Sequence, residues 1–533
     1  MSFSAKYIPY KQTGAFSKIV TDYLDSQEAL RPFYEHSPTI DGIKNAISRR
    51  KEYTTNRKLL AGEFQKQYSR VETSDIVKAN IAALLSNDTF TICTAHQPNI
   101  FTGHLYFIYK ILHAIKLADE LKAAFPTLHF VPVYYMGSED ADLEELGEVT
   151  INGKKYEWKT DQKGAVGRMK IDKAFIKLVE EIEAQLSVEK YGKEICTVVK
   201  AIYTIGKTME QATFEFVNNL FAEYGLLVFL PDNAAFKKEF TGINQKELTE
   251  QFSHKQVAET IAAFPEEYKV QAAGREINLF YLKDDIRERI TKEGSKFIVN
   301  DSDITFSEPG ILQELQIYPE RFSQNVILRP VFQEMILPDV AFIGGGGELA
   351  YWLELKKVFG AAEVPFPVLV LRNSFMLLPA KIAAKIAALQ LTATDLFKKE
   401  DELLENLVKK ESALSLQLHA EKASLRELYE KIKLAAAAVD ITLQQHTAAL
   451  HTQALKRIEQ LEKKMLKAEK KKFEAQQRQL HKIKEALFPS AVLQERIDNL
   501  LPYYAIWGRE FIQTLYNYST GLKQEFCLLE ENK

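Results

Sequence analysis

The chain has 533 residues, 46% hydrophobic and 26% charged, with a formal net charge of −3. That length exceeds one compact core and leaves room for roughly two to four units. The small net charge excludes a global pull toward nucleic acid or anionic membrane, and the three cysteines (Cys93, Cys196 and Cys527) are too scattered for a disulfide framework or a CxxC metal motif.

The opening MSFSAKYIPYKQTG has no basic stretch followed by an apolar one, so a secretory signal is not expected. No apolar run reaches the roughly 18–20 residues needed to span a bilayer. A reducing, cytoplasmic setting is expected, with neither membrane nor nucleic acid as partner.

Residues 1–87 read as mostly helical, with helical spacing of apolar residues over 71–85. Residues 90–95 (FTICTA) read as a buried strand, 105–121 as an apolar helix and 130–136 (FVPVYYM) as a second strand. That unit has the length of a parallel crossover. Residues 149–159 predict a hairpin turning at Asn152-Gly153. The rhythm resumes with a helix over 210–224 and strands over 226–230, 326–332 and 340–343. Gly344–Gly347, a helix over 348–359 and a strand over 366–372 complete it. Val-, Ile- and Leu-rich runs between helices predict an α/β fold, a Rossmann-like parallel sheet covered on both faces.

The segments expected are 1–148 (N-terminal helices and first half of the core), 206–243 (core continuation) and 323–378 (second half). Insertions at 149–205 and 244–322 separate them. Residues 379–487 are expected to form a helical hairpin, and 488–533 to return to the core. Between Ala380 and Leu487 glycine and proline are absent. Leu404, Leu418, Leu425 and Ile432 fall on one heptad position, Leu407, Leu414 and Leu428 on the other, with Glu411 and Glu421 interrupting. A second run holds Ile458, Leu461, Met465 and Ala468, its phase slipping near Lys470–Lys472. Two long helices bending near 435–442 into an antiparallel coiled coil are expected, one continuous helix being the alternative.

Ligands of open parallel sheets bind beyond the carboxyl ends of the strands. Four places qualify. The turn Thr94–His104 is polar, and Thr102 and Gly103 stand where helix N–H groups would favour an anion; Thr102 as a simple helix cap is the plainer reading. The turn from Gly137 to Glu145 crowds carboxylates, from which a general base can arise. Glu144 and Glu145 suit a helix start, leaving Glu139, Asp140 and Asp142 as the functional candidates. Gly344, Gly345, Gly346 and Gly347 before Glu348 permit close backbone approach to a ligand, or form only a tight turn. Arg329 and Arg372, near strand ends, can grip carboxylate or phosphate or neutralise the acidic turn. No GxSxG, HExxH or zinc constellation occurs, so no metal is expected.

TAHQPNIFTGHLYFIYK (94–110) is similar to the TGQQ…FTGPLYTIYK segment, and GSEDADLEE (137–145) to the GEDHDFDE segment, of the BshC family of bacillithiol biosynthesis. LRPVFQEMILPDVAFIGGGGELAYWLELKKVF (328–359) resembles RPVxQDxxLPxxAYVGGPGExAYWxQLKxVF, and LQERIDNLLPYYAIWG (493–508) resembles LQERxxNxxPFxxxxG. The likeness runs nearly the whole chain. Departures are Ala95, His96, Pro98, Asn99, His104 and Gly346. With Phe101-Thr102-Gly103, His104 approaches a wider HxGH phosphate motif whose first histidine is missing.

The resemblance implies a core related to class I nucleotidylyltransferases and a coiled coil that forms a homodimer. It implies a ligase joining cysteine to the glucosamine amine of glucosaminyl-malate, those two being the small-molecule substrates. The sequence itself names no cofactor; the resemblance points to ATP or ADP, with a second, ADP-associated pocket away from the main cleft. On this reading His96, Gln97 and Thr102 hydrogen-bond developing negative charge, Glu139 or Asp140 accepts the amine's proton, and Thr94, Asn99, Gly103, His104 and the glycine run contribute to binding. Another adenylating or nucleotidyl-transferring enzyme on the same core is the alternative, although no KMSKS-like loop is present. A coiled-coil scaffold without activity is the third.

Overall fold

The apolar run after Asp88 forms β1 (Thr89–His96), buried along its whole length, as befits a strand with parallel neighbours on both sides. The structure, a computed structural model, describes residues 2–412 and 417–532. Four strands join β1: β2 (His129–Met136), β3 (Leu227–Phe229), β4 (Asp339–Gly344) and β5 (Val368–Leu371). All pairings are parallel, in the order β5-β4-β1-β2-β3. Successive strands are laid outward from β1 in both directions. The crevice beyond β1 and β4 is therefore the switch point at which such sheets bind ligands.

Helix α1 (Leu105–Ala124) connects β1 to β2. Its Ala114, Leu117, Ala118 and Leu121 pack with Phe90, Ile92, Val340, Ile343 and Val368 of the sheet, and Ile43, Ala46 and Ile47 complete the cluster. Burying a side chain of this size contributes about 1.5–3 kcal/mol. Two polar side chains interrupt the buried run of α1, His113 and Lys110; Lys110, 3% exposed, reaches Ala95 O at 2.6 Å.

The strand expected over 326–332 is instead a helix, α2 (Leu328–Ile336). Leu328, Val331, Phe332 and Ile336 are its buried positions, at helical spacing. Asn325 Oδ1 accepts from the N–H groups of Ile327 (2.9 Å) and Leu328 (3.4 Å). Pro330 lies in the first turn, where its missing N–H costs nothing. A short apolar run does not distinguish strand from buried helix. The single helix expected over 348–359 is two, α3 (Gly346–Trp352) and Lys356–Ala362, parted at Glu354, whose carboxylate accepts the N–H groups of Gln271 and Ala272.

The first insertion opens with the hairpin Glu148–Ile151 and Lys154–Glu157. It turns at Asn152 (φ 49°) and Gly153 (φ 77°), the left-handed pair that two-residue hairpins require. The second insertion builds a five-stranded antiparallel sheet in the order Thr305–Ser307, Lys296–Val299, Ile286–Glu293, Leu279–Lys283, Phe322–Gln324.

The chain divides into two compact units, Met1–Leu377 with Val492–Lys533, and Leu378–Ala491. In the second, α4 (His419–Val439) and α5 (Leu443–Lys470) fold back on each other across Asp440–Thr442, and the expected phase slip coincides with a short 3-10 turn at Lys471–Phe473. Lys422 meets Glu462 (2.5 Å) and Tyr429 stacks on His451 (5.1 Å) between the two helices. Leu428, Ile432 and Leu461, expected in the seam, are exposed. Leu414 lies outside the described residues. Among the described residues no helix is long and apolar enough to cross a membrane.

Candidate active site

A cleft of about 380 Å³ opens at the switch point. All five strand ends reach it: His96 and Gln97 after β1, Gly137, Glu139 and Asp140 after β2, Pro231 after β3, Gly345–Glu348 after β4, and Arg372 after β5. Lys110 and Tyr106 enter from α1, Arg329 from α2, Arg287 and Gln324 from the inserted sheet, and Arg496 from the C-terminal segment.

One wall is acidic. Glu139 is buried, its carboxylate 2.7 Å from Lys237 Nζ, and Ser323 Oγ donates to its Oε2 at 3.0 Å. Lys237 is fully buried and also donates to Phe322 O (3.2 Å) and Gln324 Oε1 (2.8 Å). Glu139 is thus fixed, and the inserted sheet is tied to the end of β2 through it. Asp140 is different. Its Oδ2 accepts from Gln97 Nε2 at 3.2 Å and its Oδ1 from the Asp142 N–H at 3.3 Å, and among the described residues no cation pairs with it. Burial, then Asp142, Asp140 and Glu148, pushes Glu145 above the usual carboxylate range. Nearby, burial and the charge of Asp232 push Glu210 up to about 8; Asp232 itself is gripped by Arg168 at 2.7 and 2.8 Å.

The other wall is cationic. Lys110 pairs with Glu348, whose Oε2 also accepts the Gly345 N–H (2.7 Å). Burial lowers the Lys110 pKa, and Glu348 opposes the shift. Arg372 holds Glu495 through two bonds, 2.7 and 3.0 Å, beneath Tyr106. Arg329 donates to Gln333 Oε1 (3.0 Å) and Tyr351 Oη (3.1 Å) over the Tyr135 ring. Gly347 has open space where a Cβ would stand. His96 is buried, and burial followed by the charges of Lys110 and His104 drives its pKa well below the usual value. It is therefore a neutral imidazole, and its Nε2 has no hydrogen-bond partner among the described residues.

The rest of the first turn faces elsewhere. Thr94 Oγ1 donates to Ile343 O (2.8 Å), linking β1 to β4. Phe101, Thr102 and Gly103 all have positive φ, and Asn499 Nδ2 donates to the carbonyls of Phe101 and Gly103. The N–H groups expected to await an anion are occupied: Thr102 donates to Asn99 O, Gly103 to Ile100 O and Leu105 to Asp498 O. His104 turns to Ile497 O (3.3 Å). Asp142 caps a short helix by accepting the Glu145 N–H (3.1 Å). Thr94, Asn99, Thr102, Gly103, His104 and Asp142 therefore do not line the cleft; His96, Gln97, Glu139, Asp140, Arg329, Gly345, Gly346, Gly347, Glu348 and Arg372 do. Arg329 does so from a helix rather than a strand end. Gly344 ends β4 just behind them, its Cβ position only 3.0 Å from Leu349 and Phe342 side chains. Sequence reasoning missed Lys110, Arg287, Arg496 and Lys237. Only Lys110, a lone charge within LYFIYKILHAI, carried a local signal.

The description "Bacillithiol biosynthesis BshC, N-terminal Rossmann-like domain" matches residues 3–373, and "Bacillithiol biosynthesis BshC, C-terminal coiled-coil domain" matches 375–531. The chain belongs to the BshC family. A Flavobacterium johnsoniae protein named "Putative cysteine ligase BshC" is 38% identical over 524 residues, covering 98% of this chain and 99% of that one. The like-named Cytophaga hutchinsonii protein is 36% identical, with 97% of each chain covered. One from Bacillus cereus is 24% identical, with 93% of this chain and 94% of that one covered. The two BshC segments meet at 373–375, beside the boundary of the compact units at 377–378. Every residue lining the cleft except Arg496 lies in the Rossmann-like segment.

Proposed function

We propose that this chain is an amide-forming ligase of bacillithiol biosynthesis, joining the carboxyl of cysteine to the glucosamine amine of glucosaminyl-malate. Membership of the BshC family supports the pathway. One observation carries the chemistry: Asp140, a cleft carboxylate without an ion-pair partner among the described residues, stands at the switch point opposite a wall of cations.

Amide formation from a free carboxylate is uphill in water, so the cysteine carboxyl is activated before attack. A nucleoside triphosphate such as ATP supplies that activation when bound, and the exposed Arg496 and the open backbone at Gly347 suit its negative charge. Asp140 accepts the proton released as the amine attacks, while Gln97 orients the carboxylate. Glu139, fixed by Lys237 and Ser323, acts as a support. A neutral His96 presents Nε2 for a hydrogen bond to the oxygen that gains charge. The working unit is a homodimer formed through the apolar surface at Leu428, Ile432 and Leu461.

The test is incubation of purified protein with cysteine, glucosaminyl-malate and ATP, followed by mass spectrometry. The cysteinyl amide is the expected product. Its absence, with an unchanged thiol pool in cells lacking the gene, overturns the proposal.

A further inference from the structure

The inserted five-stranded sheet brings one cation to the cleft, Arg287, on strand Ile286–Glu293. Its guanidinium lies 4.0 Å from the Phe280 ring centroid. Its Nε is buried and has no hydrogen-bond partner, and no carboxylate lies within ion-pair distance among the described residues. Burial disfavours its charge, and the charges of Asp140 and Glu139 oppose that effect. The other cations of the cleft are committed or solvated. Lys110 and Arg372 hold carboxylates, Arg329 is bound to Gln333 and Tyr351, and Arg496 is exposed. A half-desolvated planar cation with an orphaned donor is a site for a bidentate anion.

The placement of Arg287 is built rather than incidental. The turn before it packs against Gly164 of the first insertion, where an added Cβ would come within 2.7 Å of Asp285 backbone. The far edge of the same sheet, Phe322–Gln324, is held by Lys237 and Glu139. The first contact fixes the inserted sheet against the first insertion, the second against the end of β2 in the core.

We propose that Arg287 is a specificity-determining residue that binds a carboxylate of the acceptor substrate while Asp140 faces its amine. The proposal rests on the amide-forming reading above. Of the two substrates, cysteine has its carboxyl consumed at the reacting centre. The acceptor keeps its carboxylates charged throughout, so they can remain paired with Arg287 from binding to product.

The experiment compares wild type, Arg287→Gln and Arg287→Lys on two acceptors, glucosaminyl-malate and the uncharged methyl glucosaminide, with circular dichroism as the check on folding. For Arg287→Gln the KM for glucosaminyl-malate should rise roughly 30-fold or more. Its kcat should change little, its KM for methyl glucosaminide should match wild type, and Arg287→Lys should recover part of the loss. Equal losses on both acceptors, a loss in kcat alone or an unchanged KM overturns the proposal. Calorimetry with L-malate alone gives a readout independent of turnover. Weaker binding by Arg287→Gln supports the subsite even if no amide forms, in which case only the proposed reaction fails. Identical malate binding by both proteins overturns the subsite even if amide does form.

Discussion

Lys237 Nζ stands 2.7 Å from Glu139 Oε1, with the lysine fully buried and the glutamate nearly so. Neither charge can be removed alone without stranding the other in a medium that solvates it poorly. Lys237→Met and Glu139→Leu should each destabilise the chain by about 3–5 kcal/mol in chemical denaturation, and the double variant by clearly less than the sum. Additive effects would mean that the pair does not act as a unit.

Asp140 makes a contrasting prediction. Among the described residues its side chain hydrogen-bonds only with Gln97 and a local N–H, so Asp140→Asn should leave the melting temperature within about 2 °C of wild type. Loss of the proton acceptor should lower kcat by roughly 100-fold or more. A wild-type kcat in the folded variant removes Asp140 from the mechanism.

The strands of the core were legible because parallel strands buried on both faces leave continuous apolar runs, as in 90–95 and 366–372. α2 was not, because its apolar residues sit so closely that their helical spacing is masked. Within the site, the carboxylates and glycines at strand ends are local features and could be read directly. The fate of Phe101–Leu105 could not: Asp498 and Asn499, nearly 400 residues further on, take the Leu105 N–H and the carbonyls of Phe101 and Gly103. Arg287 reaches the cleft only through the assembly of the inserted sheet, and RERITKE looks like any solvated strand.

A pH dependence follows from His113. Its Nε2 lies 2.6 Å from Gly521 O, and its Nδ1 accepts the Asn373 N–H at 3.0 Å. Both ring nitrogens are satisfied only in the neutral tautomer. Burial lowers its pKa to about 4. Between pH 4 and about 6.5 the unfolded chain binds a proton here that the native chain does not, so stability rises with pH across that window and is lost on acidification. The slope from this residue is about 1.4 kcal/mol per pH unit. His113→Asn should be less stable at pH 7.5 but should show a flatter fall between pH 6.5 and 4. Parallel curves for the two proteins would exclude His113 as a contributor.

The hairpin offers the last test. Heptad patterning placed Leu428, Ile432 and Leu461 between α4 and α5, yet the two helices meet through Lys422, Tyr429, His451 and Glu462. Leu428, Ile432 and Leu461 remain 53%, 43% and 50% exposed. The uncovered half of each side chain contributes nothing to the hairpin that carries it, and covering that half gains roughly 1 kcal/mol per residue. A second copy of the same hairpin covers them if the chains associate through this surface. Leu428→Glu with Leu461→Glu should then convert the dimer to a monomer in light scattering, with helical circular dichroism largely retained because the glutamate side chains can turn to solvent. A variant that stays dimeric would place the interface elsewhere, and one that loses helicity would return these residues to the seam.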